Sequence, residues 1–160
     1  MNRDELIPIP GESSYFLDMV THEVREYQEV EMSWDPDLLD QINKADDLKI
    51  APYHYDMQTT GTPTWIWEVV VENRLFVRAY SGVTSSWFKA ALKQRAGRIY
   101  AAGKVHEVSF SPVSDPLLQQ KIDDAYRHKY AQSSYLPSMI SGRAISATVE
   151  ISPKNDLRSK

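Results

Sequence analysis

The sequence contains no cysteine, which excludes disulfides, thiolate nucleophiles, iron–sulfur clusters and Cys-ligated zinc while leaving the redox compartment open. Long apolar runs are missing too. Nowhere do the roughly 18 apolar residues of a membrane-spanning helix follow one another. The opening MNRDELIPIPGE has no apolar stretch behind a basic start, so the expected location is cytoplasmic. Glycine is scarce, with six in 160 residues. No Gly-x-Gly-x-x-Gly, Walker or Gly-x-Ser-x-Gly pattern occurs, which removes the usual warrants for a Rossmann or P-loop site and for a nucleophile elbow. Positive charge is in deficit, 18 Lys and Arg against 22 Asp and Glu, for a net charge of -4. A chain that neutralises many phosphates usually carries a basic face, so nucleic acid is not an expected partner. The histidines, His22, His54, His106 and His128, form no metal-like pair, and His22 with Glu26 at helical spacing is a common coincidence. No metal is expected.

What is present fits one domain with a single core, at 160 residues and 42% hydrophobic composition. Charge is unevenly placed. Residues 1 to 47 hold thirteen acids against three bases, whereas Arg74 to Lys104 holds seven bases and no acid. A local basic stretch inside an acidic chain points to a bounded anion site.

Residues 1–45 read as a helical arm. Phe16, Met19, Val20, Val24 and Tyr27 recur at helical intervals, and a short helix restarts at DPDLLDQINKADD with Pro36 in its first turn. From Leu48 the period changes to that of strands. PTWIWEVVVENRLFVRAYSG predicts a β-hairpin turning near Glu72-Asn73-Arg74. A two-residue loop puts Trp65, Trp67 and Val69 on one face with Phe76, Arg78 and Tyr80, and leaves Ile66, Val70, Leu75, Val77 and Ala79 on the other. Both faces are largely apolar and both need covering. A helix is predicted over about residues 85–95, with Thr84 or Ser85 as cap and Gly97 past its end. RIYAAGKVHEVSFSPV then adds two strands, SDPLLQQKIDDAYRHKYAQ a second helix, and AISATVEISP a half-buried closing strand before a loose tail at 154–160. Mainly antiparallel strands with helices inserted at two points predict a small barrel with peripheral helices.

Four sets of side chains carry possible chemistry. Arg78, among Trp65, Trp67, Phe76 and Tyr80, has a guanidinium suited either to gripping a phosphate or to stacking on an aromatic at a barrel rim. Ser81-Gly82-Val83-Thr84-Ser85-Ser86 leads into a helix, where free N–H groups and hydroxyls receive phosphates, or where a serine simply caps. Trp87, Phe88 and Lys89 extend that entrance, or the aromatics are core and Lys89 is solvated. Tyr126, Lys129 and Tyr130 share a helix face, either as donors to a ligand oxygen or as core with a rim cation. His54, in YHYD, is a proton-shuttle candidate beside a plainer structural reading.

The run TPTWIWEVVVENRLFVRAYSGVTSSWFK, then GRIYAAGKVHEVSFSPV, IDDAYRHKY and ATVEISP, resembles a bacterial family, domain of unknown function 2255, placed among the split β-barrel flavin-binding proteins related to pyridoxamine-phosphate oxidases. The resemblance covers residues 46–153 and leaves the arm outside it. It implies an FMN-binding type of split β-barrel, a homodimer, and FMN or a deazaflavin held for redox chemistry on a small organic molecule. On that reading Trp65, Trp67 and Trp87 shape the ring pocket, Arg78, Ser81, Ser85, Ser86 and Lys89 take the phosphate, and His54, Tyr126 and Lys129 are the catalytic candidates. Two alternatives stand beside it, a noncatalytic ligand-binding or dimerisation module and a cofactor-free enzyme using the aromatic pocket.

Overall fold

The computed structural model describes residues 33–154, of which Trp34–Lys154 form one compact unit. The helix proposed over residues 13–30, the tail beyond residue 154 and His22 lie outside the described residues. Helix α1 (Pro36–Ala45) starts where the sequence places it, because Asp35 accepts the Leu38 N–H at 3.1 Å and Pro36 fills the first position. The helix packs on the domain. Leu39 and Ile42 are buried with Leu48 and Ile50, and the Trp34 indole donates to the Ile151 carbonyl at 2.8 Å. The compact unit therefore takes in the chain from Trp34 onward.

Seven strands follow, β1 (Lys49–Pro52), β2 (Thr64–Trp65), β3 (Glu68–Val71), β4 (Arg74–Arg78), β5 (Ala96–Ala101), β6 (Lys104–Pro112) and β7 (Thr148–Pro153). They form one antiparallel sheet in the order β2-β1-β5-β6-β7-β4-β3. The two edge strands, β2 and β3, are separated in the chain by Ile66 and Trp67 alone. Three residue steps reach at most ~10 Å, so the sheet has to curl until its edges nearly meet. The fold is mainly β, a curled half-barrel carrying helices. The strand predicted across residues 64–71 is thus broken in the middle, its halves pairing with opposite ends of the sheet.

The β3–β4 hairpin turns at Glu72 and Asn73, both with positive φ (54° and 60°), the mirror-image turn whose twist matches paired strands. Its register, Val69 opposite Phe76 and Val70 opposite Leu75, is the one expected for a two-residue loop. Each face is covered. Leu75, Val77 and Ala79 join Ile50, Ile99, Val108, Phe110, Val149 and Ile151 in the barrel interior, closed by α1 and by α2 (Ser86–Gln94) through Phe88 and Ala91. Val69 and Phe76 face outward under α3 (Pro116–Lys129), against Ile122, Tyr126 and Tyr130. Arg78 is on this outer side with Phe76.

Gly97 does not end α2. Arg95 does, in the left-handed region at φ 61°, while Gly97 lies in β5, where an added Cβ would meet the Ala51 carbonyl oxygen at 2.6 Å and Pro52 Cα at 2.7 Å. Glycine is needed there for close approach of β5 to β1. Residues 136–147, predicted partly as strand, instead form two short helices, α4 (Leu136–Met139) and α5 (Gly142–Ile145), so β7 begins only at Thr148. Alternation of Ile145 and Ala147 mimicked a strand over one turn of helix. Among the described residues no helix is long and apolar enough to cross a membrane.

Candidate functional site

A cavity of about 700 Å³ opens where the sheet edges approach each other. Trp65, Ile66 and Trp67 line it from the link between β2 and β3, and Tyr80 and Ser81 from the end of β4. The entry to α2 adds Ser85, Ser86 and Trp87, while Tyr135 and Met139 come from the α4 segment and Asp46 from the end of α1. Each position follows from a local event in the chain. Trp67 lies flat on Tyr130, ring centroids 4.0 Å apart and planes within 3°, because the kink at residues 66–67 turns it back under α3. Trp65 stays 65% exposed, since β2 is a two-residue edge strand.

The helix entrance is built from a 3₁₀ turn, Gly82–Thr84, with Gly82 at φ 79° and the Thr84 hydroxyl donating to the Ser81 carbonyl at 3.2 Å. Ser85 occupies the cap position of α2 yet makes no side-chain capping bond. That differs from α1 and α3, whose cap aspartates Asp35 and Asp115 accept first-turn N–H groups. The first N–H groups of α2 are therefore directed, with the positive end of its dipole, toward the region lined by the Ser85 and Ser86 side chains. Arg143, which sequence reasoning missed, braces this turn. Its Nε donates to the Tyr80 carbonyl at 3.1 Å, its guanidinium sits 5.5 Å from the Tyr80 ring, and a Cβ on Gly82 would meet its Cγ at 2.5 Å.

Arg78 reaches the cavity wall, but its charge is spent inside the protein. Nε donates to Thr148 Oγ1 at 3.0 Å, Nη1 to Asp123 Oδ1 at 2.6 Å and the Met139 carbonyl at 3.1 Å, and Nη2 to Gln119 Oε1 at 2.7 Å and its carbonyl at 3.3 Å. Five bonds occupy five donors, and the side chain is wholly buried. The phosphate grip considered for Arg78 is corrected to a structural role, locking α3 and α4 to β4. Lys89 is exposed on α2 and does not line the cavity.

The catalytic candidates are not gathered at this cavity. Tyr126 is fully buried, donates to the Trp67 carbonyl at 3.1 Å, and is pushed up by desolvation. Lys129 donates to Glu68 Oε1, the Glu68 carbonyl and Asn43 Oδ1. As ligand donors both are corrected, since their polar atoms are already engaged. Glu68, fully buried, has its carboxyl raised by desolvation against the opposing pull of Lys129, and its Oε2 lacks a partner. Tyr130 donates to Asp46 Oδ1 at 2.6 Å and is raised first by burial, then by that bond. His54 lies in an exposed loop at residues 54–59, which Asp56 organises by accepting the Gln58 and Thr59 N–H groups; those bonds hold its carboxyl down to about 2. His106 points into the barrel, edge-on to Trp34 at 6.0 Å, with Nε2 unpartnered and its pKa lowered chiefly by burial.

Among the sequence-predicted binding residues, Trp65, Trp67, Arg78, Ser81, Ser85, Ser86 and Trp87 share this one cavity. Tyr80 was legible as a member of the aromatic face, but Asp46, Tyr135 and Met139 were not legible as lining. Among the described residues no group of three or more His, Asp or Glu side chains is arranged to hold a metal ion.

Comparison with known proteins bears on fold and family. The model of a family described as "Uncharacterized protein conserved in bacteria (DUF2255)" matches residues 38–151. No curated protein matches. The crystal structure of the conserved hypothetical protein Rv2991 from Mycobacterium tuberculosis is similar, with a TM-score of 0.52 at 10% identity over 78% of this chain and 82% of that one. At that identity the likeness is one of fold.

Proposed function

The chain belongs to the DUF2255 family, and from that premise we propose that it is a split-barrel protein binding a phosphate-bearing flavin, FMN or a related deazaflavin. One observation carries this reading: an aromatic-walled cavity of about 700 Å³ meets a helix entrance left without a side-chain cap. That volume lies inside the ~300–1,000 Å³ range of small-molecule sites. Trp65, Trp67 and Trp87 offer flat apolar surface for a ring, while the first-turn N–H groups of α2 and the Ser85 and Ser86 hydroxyls suit a phosphate. The residues present therefore fit the cofactor. Arg143 braces the same turn through the Tyr80 carbonyl and, among the described residues, has no carboxylate partner. When bound, a flavin supplies hydride-transfer chemistry that the protein's own groups do not.

The side chains then bind, orient and exclude water. Neither Asp46 nor Arg78, the two charged residues on the wall, is free of internal partners. This favours chemistry carried by the cofactor, or binding without catalysis, over a cofactor-free enzyme built from His54, Tyr126 and Lys129.

Titration with FMN should shift the flavin's visible absorption and quench its fluorescence, because stacking on tryptophan perturbs the ring. An unchanged spectrum at saturating FMN ends the flavin reading. Replacing Ser85 and Ser86 together by Ala should weaken FMN about tenfold, at roughly 0.5–1.5 kcal/mol per lost hydrogen bond, and leave riboflavin, which lacks the phosphate, nearly untouched. Equal losses for both ligands remove the phosphate from this turn.

The exposed apolar residues Trp65, Tyr80, Val83 and Tyr135 border the cavity and its entrance turn. Soluble monomers seldom leave such clusters bare, which supports a homodimer covering the cavity mouth. Sedimentation should give a dimer that Tyr135→Glu dissociates, whereas a monomer at tens of micromolar counts against it.

A further inference from the structure

A second, smaller cavity of about 270 Å³ adjoins the first, with Trp65 lining both. Its floor is a row of side chains fixed by strand register. Trp65 lies opposite Lys49, Lys49 opposite Tyr100, and Tyr100 opposite Val105, across β2, β1, β5 and β6. Their neighbours Ile50 and Ile99 point into the barrel, so alternation places the whole row on the outer surface. Lys104 enters from the β5–β6 turn, where Ala102 and Gly103 both take positive φ.

Charge is unbalanced here. Among the described residues Lys44, Arg74, Arg78, Arg98, Lys121, Arg127 and Lys129 each have a carboxylate within 4.0 Å. Lys49, Lys89, Lys93, Arg95, Lys104, Arg143 and Lys154 have none among the described residues, and of these seven Lys49 and Lys104 line this cavity. Lys49 is instead held with its ammonium 4.7 Å from the centre of the Trp65 ring, which limits its freedom before any ligand arrives. The cavity's acid, Asp47, has one oxygen engaged by the Ala102 N–H at 3.0 Å. Two lysines and one partly engaged carboxylate thus line a cavity floored by aromatic rings.

We propose that this cavity is a second anion site, taking a phosphate or carboxylate group between Lys49 and Lys104 beside Trp65. The anion has two possible sources, a second acidic group on a ligand whose ring fills the main cavity, or a separate small anion. The site does not depend on the flavin reading, because its cations and floor are independent of the helix entrance.

Inorganic pyrophosphate is the probe, followed by calorimetry and by tryptophan fluorescence, since Trp65 is part of the site. Wild-type protein should bind it saturably and more weakly as salt rises. Lys49→Gln with Lys104→Gln should weaken it about tenfold or more, Lys104→Gln alone should weaken it in part, and Lys93→Gln, on α2, should leave it unchanged. Because Lys104 is exposed at the first position of β6, its single variant keeps the test usable should the double variant misfold. Absence of saturable binding overturns the proposal, as does an equal loss in Lys93→Gln. FMN and FAD then separate the sources. Loss of FAD affinity in the double variant with FMN unchanged assigns the site to an extension of the ring ligand, and loss confined to pyrophosphate assigns it to a separate anion. If neither flavin binds, the flavin reading fails while the pyrophosphate result still decides this site.

Discussion

Arg78→Ala is expected to lower folding stability by about 3–5 kcal/mol, the range for removing one partner of a buried charge pair. The substitution leaves Asp123 without its cation, removes the guanidinium donor from Thr148 Oγ1 and the Met139 carbonyl, and leaves Gln119 Oε1 with the Thr148 hydroxyl, all around a wholly buried position. Denaturant unfolding reads the loss as a large drop in midpoint. Arg78→Met, which keeps some packing but no charge, should recover only a small part. A loss under about 1 kcal/mol, the level of a surface ion pair, would mean that the network carries little, and the structural role assigned to Arg78 would be wrong. In variants that still fold, pyrophosphate binding at Lys49 and Lys104 should be unaffected, because Arg78 does not line that cavity.

Lys129→Ala should cost nearly as much, about 3 kcal/mol or more near neutral pH, by leaving Glu68 ionised and buried without its ammonium. The cost should depend on pH in a definite direction. Burial raises the Glu68 carboxyl above its ordinary 4.5 in the folded protein. The folded state then holds that proton more tightly than the unfolded chain does, so this contribution is fully present below about 4.5 and is lost as pH rises through the raised folded value. Removing Lys129 takes away the main force opposing that rise. The penalty of Lys129→Ala should therefore shrink from about pH 8 toward about pH 4 as Glu68 becomes neutral. Glu68→Gln, which cannot titrate, should abolish the shrinkage when combined with Lys129→Ala. A penalty constant across this range would show that Glu68 does not change its protonation within it. Carboxyls held low by exposed partners, such as Glu72 beside Lys121, work in the opposite sense, losing their contribution as pH falls. Comparing variants within one background cancels them.

Local chemistry accounts for how far these sites can be traced in the sequence. Asp35-Pro36 and Asp115-Pro116 mark two helix starts because cap and first-turn preferences act over three residues. The polar Glu72-Asn73 turn fixes the hairpin register, and with it the outward direction of Arg78. Trp65, Trp67, Ser81, Ser85, Ser86 and Trp87 were legible as possible pocket residues, since they flank one hairpin and one helix entrance. What α3 brings to the outer face is invisible at that range. Asp123 and Gln119 are 45 and 41 residues from Arg78, so nothing local distinguishes a saturated arginine from a free one. The same limit hid Glu68 as the partner of Lys129, 61 residues away, and concealed the break at Ile66-Trp67. An unbroken apolar run reads as one strand whichever edges its halves join. Asp46 and Tyr135 came to the cavity from a helix end and a loop with no periodic signal.

The order of the strands also governs when this domain can come into being on the ribosome. β7, the last to be synthesised, lies in the interior of the sheet, joining β6 on one side to β4 on the other. Until Thr148–Pro153 emerge, β2-β1-β5-β6 and the β3–β4 hairpin are two fragments, each with a bare apolar edge. Synthesis at ~5–20 residues per second keeps the Trp65–Val71 segment waiting for several seconds before its sheet can close. The sheet is thus completed by its interior strand, and the facing edges of β6 and β4 stay unpaired during that interval.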